Sequence, residues 1–478
     1  MPYKELFDKV KNVCYLGSAG GILGWDQEVM MPKKGVEMRA HQFAALSSVV
    51  HDMFTSKQIG KLIRETKKEK LNEAQQVNLK ELEKDYRKST KIPTEHVAMS
   101  SKVKTHATEV WREARAKGDF KKFAPHLQKI LDIEQKTAKY INPRKFALDV
   151  HLEDNDESLT CKKVDVHFKK IKKAILQLLK HKHVKPELKG TYDVAKQEKL
   201  CREVATKMGF DWDRGRMDVS THPFTTGNTV DTRITTRYDP KEPFQSVLAA
   251  VHETGHALYD QGLPFEHYGT AQGEAASLST HESQSRIWEN HLSRGKEFWQ
   301  WLSPLMQKEG WNLSSEQCYG HVNAMVPGFI RVDADEVSYH MHVIMRFEIE
   351  RGLFDGSIKV KDVPDEWNSR MQEYLGLKVP NNSQGCLQDI HWTSGFGYFP
   401  TYSIGTMIAA QLWEKANKKL KFESDFSQGK FTKLTDWLKT NIHQHGRRYA
   451  PDELIKKATG DKPNPAALIA HLRSKHTP

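Results

Sequence analysis

A helical period runs through almost the whole chain, and it narrows the choice of fold more than any other feature. In "VDVHFKKIKKAILQLLKHKH" (164–183) the apolar residues Val164, Phe168, Ile171, Ile175 and Leu178 recur at spacings of four, three, four and three, with lysines between them. Such spacing lays them along one face of an α-helix that packs on a core. Comparable patterns cover the first 140 residues, 284–310, "DEVSYHMHVIMRFEIERGLF", "KLTDWLKTNIHQHG" and "NPAALIAHLRSKH". The expectation is a mostly α-helical body. One stretch departs from it: "MDVSTHPFTTGNTVDTRITTRY" (217–238) is rich in Thr, Val, Ile and Tyr around a Gly-Asn turn signal, and predicts a short antiparallel hairpin. A helix should follow at once, bounded by Asp239 and Pro240 before it and by Gly262 and Pro264 after it, with Phe244, Val247, Leu248, Val251, Gly255 and Leu258 on its apolar face.

The 478 residues contain no internal repeat and no low-complexity linker, so the chain reads as one unit, 1–478. A net charge of +12 raises the question of a nucleic-acid partner. Lysines alternate with glutamates in stretches such as "RETKKEKLNEAQQVNLKELEKDYRKSTK", as on a solvated helix face, and no aromatic-plus-basic stacking platform accompanies them, so no nucleic-acid partner is expected. Apolar runs are too short to cross a bilayer, which argues against a membrane partner. The opening "MPYKELFDKVKNVCYLG" lacks a secretory layout, and the expected location is cytoplasmic. Five scattered cysteines, with no C-x-x-C pair, predict neither disulfides nor a thiolate metal site.

Chemistry enters with "AAVHETGHALYD" (249–260). His252 and His256 stand one helical turn apart, so both imidazoles project from one side and can reach a single ion. Glu253, beside the first of them, lies where a general base for a metal-activated water belongs. A catalytic site of this kind needs a third protein ligand. Glu266 lies too close, in the loop that ends the helix; Glu274 and Glu282 could both come from a returning helix, "GEAASLSTHESQSRIWENHL", and spacing does not choose between them.

The chain resembles the carboxypeptidase Taq family of HExxH metallocarboxypeptidases. The resemblance is carried in order by "HPF" (222–224), "DTRIT" (231–235), "HETGH" (252–256), "HESQ" (281–284) and "CLQDIHW" ending at Trp392, with "GWDQEVMMP" and "NIHQHGRRYAPDELIKKATG" toward the ends. It implies Glu282 as third ligand, leaving Glu274 nearby or on a helix surface, and gives His281 a part in orienting a ligand or supporting the wall. It also implies a two-lobed body with a deep groove, and a homodimer. Arg331 is implied to hold the substrate's C-terminal carboxylate, a task suited to a planar guanidinium, although an ion pair with Asp333 or Asp335 is the other reading. Tyr402 is implied as an oxyanion donor with His391 close by, in a stretch that also holds Tyr398. His222 and Arg233 would line or close the groove, or support its wall, next to a strand that can pair with extended substrate.

The expected activity is hydrolysis of the C-terminal peptide bond of peptides with broad specificity, using one divalent ion per chain: zinc, with cobalt or manganese as alternatives. Glu253 would take the water's proton and pass it to the leaving amine. A dipeptidyl carboxypeptidase or oligopeptidase of related helical type, and a metal-free binding scaffold, are the competing readings.

Overall fold

The residues that share the helical period do bury a common face. Val164, Phe168, Ile171, Ile175 and Leu178 are all buried on the Cys161–Leu178 helix, whose first turn is capped by the Thr160 hydroxyl accepting from the Lys163 amide. The computed structural model describes residues 1–181 and 184–477, the side chain of residue 423 apart, so the last two residues of the 164–183 stretch lie outside the described residues. Six helices fill the first part of the chain: Pro2–Val29, Val36–Phe54, Lys57–Thr66, Glu73–Ser89, Thr94–Lys117 and Phe120–Ile141. Their apolar faces divide between two clusters. Leu6, Phe7 and Val10 of the first helix meet Ile59, Leu62, Ile63, Leu79 and Leu82 in a small one. The large one begins at Ala107 and Trp111 and takes in nearly every later element.

Three short strands interrupt the helices: β1 (Gly215–Val219), β2 (Thr225–Asn228) and β3 (Asp231–Thr236). β2 and β3 form an antiparallel hairpin, Thr225 opposite Ile234, inside the stretch 217–238 expected to hold one, but Met217–Val219 at its start belong to β1 instead. β1 lies on the other side of β3 and runs parallel to it, Gly215 opposite Thr232, so the sheet is mixed rather than antiparallel. Period-two alternation marks a strand but not the direction of its partner, which is why the hairpin is readable and β1 is not.

Beyond β3 the metal-motif helix spans Pro243–Gly262, with Pro243 at its start. It begins later than Asp239 and Pro240 suggest, because the Pro240 carbonyl is engaged outside the helix by the Tyr192 amide. The returning helix is also shorter than its sequence pattern: it spans Leu278–Arg286, begins where Ser277 accepts from the Thr280 amide, and continues as a π-helix over Ile287–Ser293. Tyr339–Asp355 and Phe399–Leu420 complete the frame around the site. Among the described residues no helix is long and apolar enough to cross a membrane.

Candidate active site

A cavity of about 780 Å³ opens where β2, the Pro243–Gly262 helix, the Leu278–Arg286 helix and the start of the Phe399–Leu420 helix meet. His252, His256 and Glu282 line it, and one donor atom from each lies within 4.8 Å of the other two. His256 Nε2 is 3.3 Å and His252 Nε2 3.8 Å from the same oxygen, Glu282 Oε2. Two imidazoles and a carboxylate are a donor set for a catalytic divalent ion.

The surrounding bonds aim these donors. His252 donates from Nδ1 to Glu289 Oε2 at 2.7 Å, which leaves its Nε2 lone pair for an ion. His281 donates from Nε2 to Asp260 Oδ1 at 2.9 Å, so its Nδ1 can accept from His256 Nδ1 at 2.6 Å and the Nε2 lone pair of His256 is free as well. Glu282 is held through its other oxygen, Oε1, by Arg286 Nε at 2.7 Å. Burial opposes ionisation of Glu282, but Arg286 and the two histidines outweigh burial and hold the carboxyl well below the usual range. The residues fit a bound ion: each donor atom left over by these bonds faces the same point.

Two glycines allow this convergence. A Cβ on Gly255, inside the H-E-x-x-H turn, would stand 2.7 Å from Gln284 O and 2.7 Å from Ser285 Cα of the ligand helix. On the other side, a Cβ on Gly405 would stand 2.6 Å from Glu282 Cβ. The ligand helix is therefore clamped between two neighbours at distances that only a missing side chain permits.

Glu253 is buried beside these donors, and its Oε2 accepts from the Thr225 hydroxyl of β2 at 2.6 Å. Burial raises its carboxyl above the ordinary range, against the pull of His252 and Thr225. Farther along the wall Arg331 is 5% exposed and donates from Nε to Asp389 Oδ1 at 3.0 Å. This is neither of the ion pairs read from its neighbours: Asp333 faces Arg237 at 3.4 Å, and Asp335 caps the turn through Val337 and Ser338. Arg346 also donates to Asp389, from Nε to Oδ2 at 2.6 Å, so two guanidinium groups share one carboxylate. Glu350 does not neutralise the excess at pH 7, because burial pushes it up to about 8. The wall thus carries a buried surplus of positive charge.

Tyr402 meets His391 Nε2 at 2.7 Å, and both line the cavity with Tyr398. Burial, then Arg331, lower His391 to about 3, so its imidazole is neutral. His222 lines the cavity too, with Arg115 donating from Nη1 to its Nε2 at 3.0 Å; burial and Arg115 lower it to about 4. Arg233 stands apart. It holds Asp231 with both Nε and Nη2 and lies over the Trp25 ring of "GWDQEVMMP", outside the cavity lining.

Of the other glutamates weighed as ligands, Glu266 is exposed on a short turn and Glu274 pairs with Arg447 at 3.3 Å. Sequence reasoning passed over Asp260, Arg286, Glu289, Thr225, Tyr339 and Asp389. Arg286 and Glu289 were within reach, because they lie four and seven residues after Glu282 on the same helical face.

The model of the carboxypeptidase Taq (M32) metallopeptidase family matches residues 5–476. Thermostable carboxypeptidase 1 of Thermus thermophilus is 34% identical over 504 residues, covering 99% of this chain and 98% of its own. Carboxypeptidase 1 of Bacillus subtilis is 35% identical over 497 residues, with the same coverage of 99% and 98%. Among solved structures, the M32 carboxypeptidase from Deinococcus radiodurans R1 superposes with a TM-score of 0.93 at 33% identity, covering 99% of this chain and 98% of its own. Metallocarboxypeptidase 1 of Trypanosoma cruzi gives a TM-score of 0.93 at 34% identity, over 100% and 99% of the two chains. With a donor set for a divalent ion in its cavity and full-length likeness to these enzymes, the chain belongs to the carboxypeptidase Taq (M32) family and is a metallocarboxypeptidase.

Proposed function

We propose that the enzyme releases single amino acids from the free C-terminus of peptides of varied sequence, at one divalent ion held by His252, His256 and Glu282. The observation that carries the reading is the convergence of those three donors within 4.8 Å, each fixed from behind by another side chain. Zinc is the proposed ion, with cobalt and manganese as alternatives that the same donor set accepts. Such an ion supplies a Lewis acid and lowers the pKa of its water from ~15.7 toward ~7.

Glu253 acts as the base. Its Oε2 is occupied by Thr225, its Oε1 is left for the attacking water's proton, and its raised affinity for a proton suits it to carry that proton to the leaving amine. Tyr402, backed by His391, donates to the oxygen that becomes negative as the carbonyl is attacked. Arg331 receives the substrate's carboxylate, which answers the surplus charge around Asp389. His222 closes the groove as a neutral imidazole that donates from Nδ1, its Nε2 being taken up by Arg115. For Arg233 the bonds to Asp231 and Trp25 favour bracing of the sheet over contact with substrate.

The whole chain is taken as one catalytic unit, working as the homodimer that family resemblance implies; sedimentation at micromolar concentration checks the assembly. Five free thiols support a reducing, cytoplasmic setting. The decisive test is reconstitution. Chelator-stripped enzyme should regain hydrolysis of an unblocked peptide with one equivalent of zinc or cobalt, whereas His252→Ala should not. Full activity in stripped enzyme, or in His252→Ala, would overturn the metal assignment.

A further inference from the structure

We infer that the Tyr339 hydroxyl is a further substrate-binding donor, aimed with Arg331 at the terminal carboxylate; this rests on the reading of Arg331 given above. Tyr339 opens the Tyr339–Asp355 helix, is 6% exposed and lines the same cavity as Arg331. Its oxygen accepts twice. Arg286 Nη2 donates to it from one side, and Arg331 Nη1 donates at 3.3 Å from the other. A guanidinium has donors and no acceptor, so neither arginine can take the phenol's own proton.

Among the described residues no protein atom accepts that proton. Burial holds the phenol above its ordinary pKa against both arginines, so the proton stays on the oxygen at neutral pH. A buried O–H with two cationic donors on its lone pairs, and only the cavity left to it, is polarised toward an anion. The carboxylate that meets Arg331 is that anion: one of its oxygens takes Arg331 and the other takes Tyr339. Arg286 also holds Glu282 Oε1, so the same phenol ties the carboxylate end of the cavity to the ligand helix.

The test compares two ligands on the zinc-loaded full-length enzyme: a free amino acid, which is the released product, and its amide. Inhibition constants are measured for both with wild type and with Tyr339→Phe, alongside metal content and melting temperature. Wild type should bind the acid more tightly than the amide. Tyr339→Phe should shrink that preference about tenfold or more, the worth of a hydrogen bond to a charged group. An unchanged preference, or an equal loss for acid and amide, would overturn the role of Tyr339 while leaving Arg331 in place. No preference in wild type would remove the Arg331 reading and this inference together. Should Tyr339→Phe lose metal or fold, 3-fluorotyrosine at the same position decides: the sharper donor should widen the preference for the acid, and no widening counts against the inference.

Discussion

Gly405→Ala should disable the enzyme although it removes no functional group. The added methyl would stand 2.6 Å from Glu282 Cβ, 2.7 Å from Glu282 Cγ and 3.0 Å from Ser279 O. Carbon atoms pack at about 3.5–4.0 Å, so something must yield by roughly 1 Å. Rotation of the Glu282 side chain does not relieve the contacts with its own Cβ and with the Ser279 carbonyl, so the ligand helix itself has to move. Overpacking of this kind costs about 1–3 kcal/mol, of which alanine's better helix propensity offsets about 0.5–1 kcal/mol. The fold survives such a net loss. The ion does not tolerate the shift, because ligand distances are held to within about 0.2 Å. Zinc affinity should fall at least about 10- to 100-fold, the loss that follows when only an outer partner of a ligand is removed. Competition with a chromophoric chelator measures it, and circular dichroism confirms the helical fold. Wild-type zinc affinity in a folded Gly405→Ala protein would refute the argument that helix spacing sets the ligand position.

Glu253→Gln should keep the metal and lose about 10²–10⁴-fold in kcat; a loss under tenfold would place the base elsewhere. Glu289→Gln takes the anionic acceptor from His252 Nδ1, so zinc should bind about 10- to 100-fold more weakly in the same chelator assay, with no weakening as the contrary result. Glu350 gives a stability prediction. Its folded pKa is raised to about 8, so between the ordinary carboxylate range and that value the unfolded chain binds fewer protons, and stability falls as pH rises. Glu350→Gln should flatten the melting temperature across this window, and an unaltered slope would count against a neutral Glu350.

What the sequence disclosed follows from the range of each signal. Helical period is local, and Val164 to Leu178 bury the face it marks. The pair His252 and His256 is local as well, and needs only 3.6 residues per turn. Choosing between Glu274 and Glu282 was not a local question, since Arg447, 173 residues away, pairs with Glu274. Arg331 is a similar case. Asp333 and Asp335 are its neighbours in sequence, but its partner is Asp389, brought in by a loop 58 residues on. The glycines of the two clamps carry no visible mark either: Gly255 is an ordinary letter within H-E-T-G-H, and its purpose is apparent only when Gln284 and Ser285 lie against it. Strand β1 escaped for a similar reason: the parallel neighbour that defines it, β3, is not marked in its own residues.

The central claim is that a metal centre and a carboxylate-reading wall act on one peptide end. Mass spectrometry of a time course on one peptide, unblocked and C-terminally amidated, tests it most directly with zinc-loaded enzyme. The unblocked peptide should shorten one residue at a time from its C-terminus while the amide stays intact. Equal cleavage of the amide, or release of dipeptides or internal fragments, would contradict the account.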